Sequence, residues 1–171
     1  MFTDHFHMTD QPFSEPAPTD HLLRDERISQ ALARLDFFAN FGTVAVLTGP
    51  TGVSKSSTLR LFIHSLNASK FLPVYVHVTQ VRAQSLLKLI LAALGQDPPA
   101  WGKDRLFLNI LNHAKRNDQT TLIVVDEAHL IPLDGLTDLR LLVSSALDEI
   151  PKIKILLAVQ DALNQHLAIP D

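Results

Sequence analysis

The chain has 171 residues, 46% hydrophobic and 19% charged, with a formal net charge of −3, the balance of one soluble globular domain with a sizeable core rather than a disordered chain or a protein that coats nucleic acid by bulk positive charge. With no cysteine, disulfide scaffolds, thiolate metal sites and cysteine nucleophiles are excluded. The N-terminus MFTDHFHMTD has neither the basic nor the apolar region of a signal peptide, and no stretch approaches the ~18 apolar residues of a membrane helix, so a cytoplasmic protein without a membrane segment is expected.

Residues 1–24 carry Pro12, Pro16 and Pro18 and no regular period. They read as an extended arm with aromatic anchors at Phe2, Phe6 and Phe13, the plain alternative being a disordered tail. Residues 25–171 read as the folded domain. Asp25 is placed to cap a helix along which Ile28, Leu32, Leu35 and Phe38 recur at helical spacing, and Gly42 can end it. Val44 to Thr48 is a short apolar run, read as a buried strand. Residues 55–67 follow as a helix with Leu59, Phe62, Ile63 and Leu66 on one face, and Val74 to Val78 as a second strand.

Helices over 84–94 and 103–116 come next, separated by the turn region from Gly95 to Gly102. Thr121 to Asp126 is a third strand ending in acid. Pro132 and Asp134 introduce a helix over 135–148, Ile153 to Val159 is a fourth strand, and a short helix to Leu167 follows. Continuous apolar strands alternating with helices predict an α/β fold with a parallel sheet covered on both faces.

The first strand runs into Gly49-Pro50-Thr51-Gly52-Val53-Ser54-Lys55-Ser56-Ser57. This matches the phosphate-loop (Walker A) pattern G-x-x-x-x-G-K-[ST] except at Ser54, where the last glycine belongs. Such a loop curls backbone N–H groups around a phosphate, and the following helix aims its positive end at the same place. Lys55 would reach the β- and γ-phosphate oxygens of ATP, and the Ser56 hydroxyl would bind Mg2+. The serine at 54 either crowds or strains the loop, or is tolerated because it is small. The plain alternative for the whole stretch is a strand-to-helix turn with an exposed lysine.

Asp126-Glu127 follows Leu122 to Val125, the arrangement in which a buried strand delivers an aspartate to Mg2+ and the next glutamate polarises the attacking water (Walker B). The competing reading is an acidic cap after a strand. The letters Asp126-Glu127-Ala128-His129 also spell a helicase box, but such helicases need two domains of this kind. Gln160, just past the fourth strand, either contacts the γ-phosphate or water or is an ordinary loop glutamine, and Thr79 and Gln80, at the end of the second strand, either restrain Glu127 or do not touch it. Arg140 faces a neighbouring subunit or solvent, Lys115-Arg116 reads as a solvated helix end, and the histidines show no metal spacing.

With both motifs placed, the chain resembles the AAA+ ATPases of the general secretion pathway protein A (ExeA) type, a group similar to the TniB and TnsC type of transposition helpers. The resemblance is carried by Phe6 with Gln11-Pro12-Phe13, by Leu47-Thr48-Gly49 running into the phosphate loop, and by Val125 to Leu130 followed by Leu139-Arg140-Leu141-Leu142. The segment from Ile155 to Leu163 completes it. It implies a three-layer P-loop core with strand order 5-1-4-3-2. The chain departs from the pattern at Ser54, at Val159 where the group has glycine, and in stopping at Asp171, before a fifth strand, an arginine finger and a helical lid. A partial domain with an open apolar edge is therefore expected.

Three functions follow from the resemblance: an ATP-dependent helper of transposition, with transposase and DNA as partners and a homo-oligomer in the full-length form; the ATPase domain of a type II secretion assembly protein; or a nucleotide-binding module with little or no hydrolysis. Turnover by this chain alone is expected to be slow, because Ser54 and the missing finger both weaken the reaction.

Overall fold

The structure, a computed structural model, describes residues 5, 6, 22, 24–98, 102–144 and 152–160. Helix α1 (Glu26–Phe41) begins as predicted: Asp25 Oδ1 accepts from Ile28 N–H at 2.8 Å, and that bond holds the Asp25 carboxyl below its ordinary value. Gly42 ends the helix, its N–H donating to Phe38 O at 2.8 Å. Strand β1 (Val44–Thr48) leads through the phosphate-type loop into α2 (Lys55–Ser65). Then come β2 (Phe71–His77), α3 (Ala83–Ala93), α4 (Lys103–Arg116), β3 (Thr120–Asp126), a 3-10 turn (Ala128–Leu130), α5 (Leu133–Ser144) and β4 (Ile153–Val159).

The four described strands are all parallel, in the order β1-β4-β3-β2. This agrees with the 1-4-3-2 portion of the order that the resemblance implied. Alternation along each strand splits the core in two. One face, with Val74, Val76, Ile123, Val125 and Ile155, packs on α3, α4 and α5 through Leu86, Ile90, Leu106, Ile110 and Leu142. The other, with Phe71, Leu122, Val124, Leu156 and Ala158, packs on α1 and α2 through Leu35, Phe38, Leu59 and Phe62. Fully burying a Leu, Ile or Phe side chain contributes about 1.5–3 kcal/mol, so β3 and β4, covered on both faces, are the rigid centre from which the site hangs.

Two polar contacts join elements, one within a helical layer and one between the sheet and the opposite layer. Lys103 Nζ lies 2.9 Å from Asp138 Oδ2, pairing the start of α4 with a carboxylate buried on α5; that partner holds the Lys103 ammonium above its ordinary value. Lys154 Nζ, on β4, donates to Ala39 O at 2.6 Å near the C-terminal end of α1, where the helix dipole favours a cation.

Three differences from the sequence reading have physical causes. Strand β2 starts at Phe71, not Val74, and so runs through Pro73. Among the described residues β2 pairs with β3 alone, and an edge strand tolerates a residue without an N–H. Helix α5 starts at Leu133, two residues early, while its predicted continuation over 145–148 lies outside the described residues, as do the short helix to Leu167 and most of the arm. The 3-10 turn after β3 was not foreseen; three residues are too few to show a period. Among the described residues β1 pairs only with β4, and Val44 and Val46 are 51% and 52% exposed.

Candidate functional site

The loop after β1 turns through two left-handed residues, Gly52 (φ +86°) and Ser54 (φ +64°). Glycine suits the first at no steric cost. Gly49 has an ordinary conformation but little room on one side: an added Cβ would lie 2.9 Å from Val53 Cγ2, so the exposed Val53 side chain would have to shift. Ser54 takes up the conformation for which glycine would be chosen, which for a residue with a Cβ costs roughly 1–2 kcal/mol. The departure from the motif is therefore a backbone strain at the start of α2, and the Ser54 side chain makes no capping hydrogen bond in return. The loop is held from below: Thr58 N–H and Oγ1 both donate to Ser54 O at 2.9 Å. Ser54→Gly is expected to stabilise the protein, since relief of strain exceeds the 0.5–1 kcal/mol of extra chain entropy that glycine brings. A net gain of about 0.5–1 kcal/mol raises the thermal midpoint by roughly 1–4 °C, read in ligand-free unfolding.

Lys55 folds back along this loop, its Nζ donating to Gly49 O at 2.8 Å and Pro50 O at 2.9 Å. The loop opens onto a cleft of about 630 Å3. Gly49, Pro50, Gly52, Val53, Ser54, Lys55 and Ser57 line it; Thr51 and Ser56 do not. The far wall comes from the start of α1 and the residues before it, Leu22, Asp25, Arg27, Ile28 and Ala31. The sequence reading placed Asp25 to Ile28 at a helix start but not beside the loop; no local signal carries that, because the adjacency comes from α1 packing on α2.

Across the sheet, Asp126 ends β3 and is 1% exposed. Its Oδ1 accepts from Glu127 N–H at 2.9 Å and its Oδ2 from the Tyr75 hydroxyl at 2.9 Å. Burial and the adjacent Asp126 raise the Tyr75 hydroxyl well above the ordinary tyrosine value, so it stays a proton donor. Glu127 is the second left-handed non-glycine residue (φ +58°). Its Oε2 accepts from Gln160 Nε2 at 3.1 Å and lies 3.4 Å from His129 Nδ1.

The register explains the Glu127–Gln160 meeting. Val125 pairs Leu157 and Thr48 pairs Val159, so the end of β4 lies level with both the start of the phosphate loop and Glu127. Strand spacing puts the β1 and β3 ends ~10 Å apart, with Gln160 between them. Of the residues named from sequence, the structure thus joins Gln160 to Glu127, and Lys55 to its own loop. It brings neither Lys55 nor Ser56 into hydrogen bonding with Asp126 or Glu127. Thr79 and Gln80 do not hydrogen-bond Glu127, the plainer of the two readings that the sequence offered; Glu127 is met instead by Gln160, just past the end of β4.

The donor set suits Mg2+, a hard cation that takes oxygen ligands and usually keeps several from water or phosphate. Asp126 offers a buried carboxylate and Ser56 a hydroxyl. Among the described residues no group of three or more His, Cys, Asp or Glu could hold a metal by itself.

A family profile described as "AAA domain" matches residues 42–167, from the start of β1 past the end of β4. The chain belongs to the AAA domain family. Among curated proteins it is similar to General secretion pathway protein A of Aeromonas hydrophila, 29% identical over 99% of this chain and 32% of the relative. Among solved structures it is similar to the ORC2 protein of Aeropyrum pernix (TM-score 0.72, 16% identity, covering 92% of this chain and 47% of that one). It is also similar to Cdc6p of Pyrobaculum aerophilum (TM-score 0.66, 21% identity, 94% and 44%). The chain therefore spans about a third of that curated relative and under half of these solved chains. At these identities the solved structures establish the fold: a parallel α/β P-loop core. No described helix is long and apolar enough to cross a membrane.

Proposed function

We propose that this domain binds ATP with Mg2+ between the phosphate loop and the acidic end of β3, and hydrolyses it slowly. The observation that carries the reading is the loop itself: two left-handed residues wrap its backbone ahead of α2, with Lys55 lying along it at the mouth of a 630 Å3 cleft. A helix N-terminus and a curled run of N–H groups favour a phosphate anion there. Lys55, now on two carbonyls, would exchange one of those bonds for a phosphate oxygen. Ser56 and Asp126 would hold the cation, which when bound neutralises charge on the transferred phosphoryl group. Glu127, kept in place by Gln160, would take the proton of the attacking water. The start of α1 would border the rest of the nucleotide.

For the cellular task, the likeness to General secretion pathway protein A supports an ATPase module of a secretion-type assembly over the transposition helper expected from sequence. Isothermal titration with Mg·ATP should give one site per chain, and duplex DNA should show no ATP-dependent gel shift. Absence of heat at any nucleotide concentration contradicts the site; an ATP-dependent shift restores the transposition reading with DNA as partner.

A further inference from the structure

Tyr75 belongs to neither motif, yet its hydroxyl supplies one of the two hydrogen bonds that the buried Asp126 carboxylate receives from described residues. It reaches that carboxylate from the edge strand. Tyr75 stands two residues before His77, which pairs in register with Asp126, so all three side chains lie on the face of the sheet covered by α1 and α2. His77 Nδ1 is 4.0 Å from Oδ2, beyond hydrogen-bonding distance, and its side chain is 57% exposed. Tyr75 is thus the side chain that fixes Asp126; the other donor is the Glu127 backbone.

An ionised carboxylate has about four lone-pair positions, two on each oxygen. The Glu127 N–H takes one on Oδ1 and the Tyr75 hydroxyl one on Oδ2, leaving one open on each. The carboxylate cannot swing about its axis without losing both donors. We propose that Tyr75 is a positioning residue for the magnesium site: its hydroxyl, delivered from the edge strand, aims the Asp126 carboxylate so that a free lone pair faces the cation. The inference rests on the function proposed above. The opposing effect, competition between hydroxyl and cation for the same oxygen, would make loss of the hydroxyl tighten metal binding. The open position left on Oδ2 decides for positioning, and removing the partners of metal-binding side chains commonly weakens metal affinity 10–100-fold.

The test compares the parent chain with Tyr75→Phe, which keeps the ring and removes only the hydroxyl, and with His77→Ala. Mn2+ affinity is read by electron paramagnetic resonance at saturating ADP, and ADP affinity is read separately in EDTA. Tyr75→Phe should weaken Mn2+ binding about tenfold or more and leave ADP affinity in EDTA within about twofold, and His77→Ala should change neither. Unchanged or tighter Mn2+ binding in Tyr75→Phe overturns the proposal. So does an equal loss in EDTA, which marks a purely structural residue, or a loss in His77→Ala as large as in Tyr75→Phe. A parent that binds no ADP under either condition overturns the proposed function and this inference together; a parent that binds, with a silent Tyr75→Phe, overturns this inference alone.

Discussion

Lys55→Ala removes the stabilisation of the protein by Mg·ATP while leaving the ligand-free unfolding temperature almost unchanged. In the parent, nucleotide at 100 times its dissociation constant should add about 2.7 kcal/mol to stability, which for a domain of this size raises the midpoint by roughly 5–10 °C. Lys55 is the one loop side chain that carries a full positive charge, and its ammonium lies on Gly49 O and Pro50 O, at the rim of the cleft. Truncating it costs the folded protein two partly exposed hydrogen bonds to carbonyls that water can replace, hence the small effect without ligand. With ligand the loss is large, because a charge-assisted contact to phosphate is about twice as strong as a neutral hydrogen bond.

The measurement is thermal unfolding of both proteins across a nucleotide titration, with Ser54→Gly alongside. A parent shift that survives Lys55→Ala would place the bound nucleotide away from the loop. No shift in the parent but a clear one in Ser54→Gly would mean that the left-handed serine holds the loop in a form that does not accept phosphate. The two positions are close enough to couple, so their effects are not expected to add.

Most of the architecture could be read from sequence because periodicity and turn chemistry carry it. Helix α4 and strand β4 match the predicted 103–116 and 153–159, the helix as a periodic run after Gly102 and the strand as a continuous apolar run after Pro151. The Asp25 cap was legible for the same reason: a short acceptor side chain before a periodic run has one obvious task. Where reading stopped, the information was non-local. That β2 begins before Pro73 depends on the strand order, which among the described residues makes β2 an edge strand.

The site divides the same way. Lys55, Asp126 and Glu127 stand out by motif, and Gln160 by its place after a strand. Tyr75 was missed because nothing near it in sequence is unusual. Its signal lay in combining the parallel β2–β3 pairing with the spacing of two from His77, and that needs the register, Tyr75 opposite Val124 and His77 opposite Asp126. His129, three residues past Asp126, comes within reach of Glu127 only because the chain turns through a left-handed Glu127 into a 3-10 turn, a backbone change that no side-chain pattern announces.

Asp126→Asn should abolish the contribution of Mg2+ to nucleotide binding and leave a folded protein. The substitution is nearly isosteric, and both hydrogen bonds of the carboxylate have a substitute. The amide oxygen can still accept from Glu127 N–H. The amide nitrogen, placed where Oδ2 lies, donates to the Tyr75 hydroxyl, whose proton turns away to make its oxygen the acceptor. A site that is 1% exposed also loses the desolvation cost of a charge, so ligand-free stability should stay within about 1 kcal/mol of the parent. Cation binding has no such substitute: an amide carries no charge to offset the removal of water from Mg2+, which dehydrates reluctantly. Nucleotide affinity in EDTA should therefore match the parent, while the gain on adding Mg2+, expected in the parent, disappears. Asp126→Ala separates the two contributions. It removes the cation ligand as well, but it also strands the Tyr75 hydroxyl and the Glu127 N–H beside a small cavity, and each partner left unpaired in a buried place costs about 1–3 kcal/mol. If Asp126→Asn kept the Mg2+-dependent gain, the cation would have to sit on other oxygens and the assignment of Asp126 would fail. If Asp126→Asn unfolded as readily as Asp126→Ala, the buried carboxylate would be holding the sheet edge together through Tyr75, and its charge, not its shape, would be what the fold requires.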